Sequence, residues 1–77
     1  MTENEAQLTG RLHALELLLS QTLAEMLRSH TDSERVEISA RMMAALTHTL
    51  AGAPPSVTKH ALETGDKILK KAVMDSL

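Results

Sequence analysis

Residues 8–27 read LTGRLHALELLLSQTLAEML, and the fold turns on how these leucines are spaced. Leu8, Leu12, Leu15, Leu19, Thr22 and Met26 recur at steps of 4, 3, 4, 3 and 4. That is the heptad spacing of a helix that buries one stripe against other helices. On a helical wheel, Leu8, Leu12, Leu15, Leu19, Leu23 and Met26 fall on one side. Leu17 lies nearly opposite, in line with Gly10 and Ala24, and Leu18 and Leu27 flank the stripe. The helix is thus apolar over more of its circumference than one neighbour covers. Leu17 is then either an isolated surface leucine, which proteins commonly carry, or part of a second contact face. In the second case the helix meets its own chain on one side and a second protomer on the other.

The flanking residues set the ends of this helix and of two more. Thr2 with Glu5 three residues on is a capping-box pattern, and Glu3 and Glu5 suit the positive end of the helix dipole. The first helix is expected over residues 3–29. Thr31-Asp32-Ser33-Glu34 repeats the capping pattern and opens a second helix over 32–51, which Gly52 and Pro54-Pro55 terminate. A third helix is expected over 57–75 with Ser56 as its cap. No stretch alternates as a strand does. Residues 1–77 therefore read as one all-α domain, an antiparallel three-helix array with a long first helix, dimerising as a helical bundle.

The second helix shows Val36, Ile38, Met42, Met43, Leu46 and Leu50 opposite a polar edge of Glu34, Glu37, Arg41 and His48. The third presents Ala61, Leu62, Ile68, Leu69, Ala72 and Val73, with Gly65 at the centre of that face, where a neighbour can approach closely. Its other face carries Lys59, Glu63, Asp66, Lys67, Lys70 and Lys71, with Glu63–Lys67 and Asp66–Lys70 at the spacing of helical ion pairs. Met74 is the exception, an apolar side chain projecting toward that charged side.

Composition favours association. The chain has 77 residues and no Phe, Trp, Tyr or Cys. A domain this short buries only about 60% of its unfolded surface, and small folds usually need a staple. Disulfides and cysteine-based zinc sites are ruled out by inventory, which leaves self-association as the expected solution. The formal net charge of −2 suits neither a strongly basic nucleic-acid binder nor a heavily acidic mimic. The acidic start is the wrong sign for a signal peptide, and no apolar run approaches the roughly 20 residues of a membrane span. A soluble cytoplasmic setting, without membrane contact, is the expectation.

Catalytic equipment is sparse. Ser29, His30 and Asp32 are close in sequence, but they straddle a turn and do not face one another as a nucleophile, base and orienting group must. His13, His30, His48 and His60 form no His-x-x-x-His pair, and none follows a Glu at the spacing used by helical di-iron sites. His13 and Glu16 supply two ligands at most. Gly52-Ala53-Pro54-Pro55-Ser56 lacks backbone donors at both prolines, so it reads as a turn and not as a phosphate cradle. No catalytic, metal or cofactor site is expected.

Nucleic-acid contact through Lys67, Lys70 and Lys71 is the main rival reading. Glu63, Asp66 and Asp75 interrupt that basic side, and no aromatic is present to stack a base. The sequence favours a small non-enzymatic interaction protein, a regulatory adaptor or inhibitor with a protein partner. It would self-associate and bind through Leu8, Leu12, Leu15, Leu17, Leu19, Leu23, Met26 and Met74. A structural or assembly subunit is the third reading.

Overall fold

A computed structural model describes residues 2–77. The described residues form three helices and no strand: α1 (Glu3–Leu27), α2 (Asp32–Thr49) and α3 (Pro55–Ser76). Both threonine caps form. Thr2 accepts from the Glu5 N–H at 3.1 Å. Thr31 makes a reciprocal box, its hydroxyl accepting from the Glu34 N–H at 3.3 Å while its own N–H donates to the Glu34 carboxylate at 2.9 Å. The Thr31 N–H, and after it the Thr31 hydroxyl, hold the Glu34 carboxyl below its ordinary range.

The ends differ in detail from the sequence expectation. Ser56 is not a cap. Pro55 opens α3 instead, because its fixed φ suits the first helical position and its missing N–H needs no partner there. Gly52 takes the left-handed conformation at φ +89° and turns the chain out of α2, which closes at Thr49. α1 stops at Leu27, where the Arg35 guanidinium reaches back from the first turn of α2. It donates to the carbonyls of Leu27 at 2.9 Å and Arg28 at 3.3 Å, and pairs with Asp32 at 2.7 Å. Carbonyls that a helix end leaves without partners are thereby filled from the next helix.

α3 is the central element, packed on α1 along one flank and on α2 along the other. Contacts advance together along α1 and α3: Glu16 meets Lys67, and further on Gln21 and Arg28 meet Asp75. Buried positions are few. They are Ser20, Ala24 and Leu27 on α1 and Leu69, Ala72 and Ser76 on α3, with none on α2. The hydroxyls of the buried Ser20 and Ser76 donate to carbonyls of their own helices, Leu17 and Val73, whereas the buried Ser39 hydroxyl of α2 has no partner among the described residues. At Gly65 a side chain, not backbone, fills the approach: a Cβ there would stand 2.6 Å from the Leu46 Cδ2.

The leucine stripe does not face α3. Leu8, Leu12, Leu15 and Leu19 are each more than half exposed, and Met26 nearly so. α1 instead turns toward α3 the line that contains Leu17, Ser20 and Ala24. Small residues there let the helices close up, and the polar contacts of Glu16, Gln21 and Arg28 fix the rotation. The assembly has no layer above or below on which the leucines could pack. α3 lies between α1 and α2, which scarcely touch, so the helices form one splayed layer with Cα extents of 44 × 28 × 13 Å.

Size scaling makes the same point quantitatively. The radius of gyration is 14.1 Å, against about 11–12 Å for a globular chain of this length. The accessible surface is 5672 Å², about 1,000 Å² above the roughly 4,600 Å² expected for a folded monomer of 8.4 kDa. Stable domains generally stack two or three layers; this chain supplies one.

Candidate interaction surface

The outer face of α1 is a continuous apolar strip. From Leu8 to Met26 it rises about 27 Å at 1.5 Å per residue. Thr22 is the single hydroxyl within it, and that group donates back to the Leu18 carbonyl at 2.7 Å. Its hydrogen-bonding need is met within the helix, so an apolar partner can cover Thr22 without stranding a donor. Leu18 borders the strip and is two-thirds exposed. Arg11 lies on the same border and makes no ion pair among the described residues. Glu25, also on that border, pairs with Arg28 of its own helix.

The residues singled out from sequence do not form one surface. Leu8, Leu12, Leu15, Leu19 and Met26 share the outer face of α1, with Leu23 half-buried at its edge. Leu17 stands apart, lining a groove of ≈ 240 Å³ between α1 and α3 beside His13, Glu16, Lys67 and Lys71. Met74 is 72% exposed and borders a different groove, ≈ 550 Å³, between α2 and α3 with Val36, Met43, Leu69 and Val73.

Each lysine of the rival reading has a carboxylate. Lys67 pairs with Glu16 at 3.5 Å, Lys70 with Asp66 at 2.8 Å and Lys71 with Asp75 at 2.9 Å. Glu63 faces His60 at 3.8 Å and not Lys67 as its spacing suggested. A phosphate backbone would therefore meet a field already balanced by acids.

The residues of the Ser29–Asp32 junction are each turned to a separate partner. The Ser29 hydroxyl donates to the Met26 carbonyl at 3.4 Å, His30 faces Glu34 at 3.7 Å, and Asp32 binds Arg35. Among the described residues, no three His, Asp or Glu side chains are grouped so as to hold a metal ion. No helix of the described residues is long and apolar enough to cross a membrane.

Two structural residues escaped the reading of the sequence. Arg35 carried a weak signal: a cation in the first turn of a helix opposes the dipole, a cost that Asp32 of the same turn and the carbonyls of Leu27 and Arg28 offset. Asp75 carried none, since its Lys71 pairing is a local spacing while its contacts with Gln21 and Arg28 span 54 and 47 residues. No family model, no curated protein and no solved structure matches the chain.

Proposed function

We propose that this chain is a small non-enzymatic protein–protein interaction module that works by helix packing and self-associates. It is an array of consecutive antiparallel helices that acts as a regulatory adaptor or inhibitor toward another protein. One observation carries the reading: a single helical layer with about 1,000 Å² of surplus surface and a leucine strip on its outside. Stable interfaces cover about 800 Å² per partner, so the surplus matches what one association would bury. Leu17 and Met74, on grooves away from the strip, are the contacts left for a different protein. The paired state of Lys67, Lys70 and Lys71 favours this reading over nucleic-acid contact.

The test is the mass in solution, by light scattering with refractive-index detection, since the chain has no Tyr or Trp absorbance. The expected mass is twice 8.4 kDa or a higher multiple, steady across a dilution series. A helical monomer at every concentration would refute self-association.

A further inference from the structure

Building on that self-associating reading, we infer that the occupant of the outer α1 face is α1 of a second copy, running antiparallel about a twofold axis level with Leu17. The strip is close to palindromic about that point. Laid against itself in reverse, Leu8 meets the partner's Met26, Leu12 meets the partner's Thr22, and Leu15 meets the partner's Leu19. These are the alternating core layers of an antiparallel two-helix seam.

The borders agree with this register. On one side of the seam Arg11 lies opposite the partner's Glu25 at both ends, and Leu18 meets its own symmetry mate between them. Arg11, without an ion pair among the described residues, comes to share Glu25 with that helix's own Arg28, and the two-thirds exposed Leu18 gains an apolar neighbour. The other border places Glu16 near its mate, and each already carries its own Lys67 at 3.5 Å. A parallel seam would instead direct Arg11 onto Glu16; Glu16 is paired by Lys67 and Glu25 by Arg28, so the charges alone do not choose the direction.

Anchoring decides between the two directions more strongly than charge. α1 is held to α3 through its C-terminal half, by Glu16, Ser20, Gln21, Ala24, Leu27 and Arg28. Residues 3–12 contribute nothing buried to their own chain. A helical segment of that length is marginal without tertiary support. The antiparallel register lays each unsupported N-terminal half on the anchored C-terminal half of the other copy. A parallel seam would lay two unsupported halves on each other. Opposed helix dipoles add to the preference.

Single-cysteine variants test this in a chain with no native cysteine. Leu12→Cys and Thr22→Cys lie on the exposed strip, so neither disturbs the packing of its own fold. In a glutathione redox buffer, a mixture of the two is expected to give the mixed disulfide, while each variant alone stays unlinked. In the antiparallel register, like positions stand about 15 Å apart. Self-linking of Leu12→Cys alone would overturn the antiparallel direction. A dimeric mass with no linkage in any combination would remove the α1 seam and leave self-association standing. A monomeric mass would remove both.

Discussion

Truncating two leucines of the outer α1 face should separate assembly from the fold. Leu15 and Leu19 are each more than half exposed in one copy, so Leu15→Ala/Leu19→Ala removes little from the monomer. Alanine is also the stronger helix former, so α1 itself is not weakened. Burying a whole leucine side chain is worth about 1.5–3 kcal/mol, and roughly half of each remains to be buried by a partner. That gives about 1 kcal/mol per leucine. Four truncated side chains per dimer then cost about 4 kcal/mol, roughly a thousandfold in the dissociation constant. Sedimentation equilibrium with interference optics measures the constant without a chromophore, and far-ultraviolet circular dichroism at matched concentrations follows the helices. Helix content at concentrations that restore the dimer should equal that of the unmodified chain. A change in the dissociation constant of less than tenfold would show that the strip is not in the interface.

Two further outcomes concern the junctions that shape the layer. Arg35→Ala leaves the carbonyls at the C-terminal end of α1 without their donor; the side chain is only 12% exposed and the bonds are charge-assisted, so the loss should be about 2 kcal/mol. At fixed protein concentration that lowers the melting midpoint by roughly 10 °C, and a shift of under 2 °C would exclude the clamp. The depressed Glu34 carboxyl contributes stability that is present above the ordinary glutamate value of 4.5 and fades as pH falls through the lower folded value. Glu34→Gln should therefore show a smaller fall in melting midpoint between about pH 6 and pH 3 than the unmodified chain; equal falls would exclude the carboxylate as the cause.

Much of the helical layout was legible because the signals are local. Thr2, Thr31 and Gly52 act within one turn of themselves, and the 4-3 spacing of residues 8–26 already implies a helix. What could not be read was the rotation of α1. Two faces of that helix are apolar, one large and one small, and periodicity favours the larger. The structure buries the smaller, because α3 meets Ser20 and Ala24 at close range while Glu16, Gln21 and Arg28 are held by residues roughly fifty positions away. No pattern within α1 encodes those anchors. Consequently the strip that the spacing marks for burial against other helices lies outside the packing of one chain, and replacing Leu15 and Leu19 is not expected to undo the fold directly. The candidate lysines were legible as a basic side; their neutralisation lay within local spacing for Lys70–Asp66 and Lys71–Asp75, but not for Lys67, whose partner Glu16 is on another helix.

The order in which α1 and its anchors are made gives the long-range packing a temporal meaning. α1 is translated first, yet Lys67 and Asp75, which orient it, follow roughly fifty residues later. Contacts so distant along the chain are slow to close. Throughout that interval the nascent N-terminal segment shows both of its apolar sides. Under the proposed self-association, the leucine side, which no later described residue covers, would be open to another copy from the outset. If chains pair through α1 as proposed, neighbouring ribosomes on one message would hold such segments close together, and pairing would begin before either chain has finished folding.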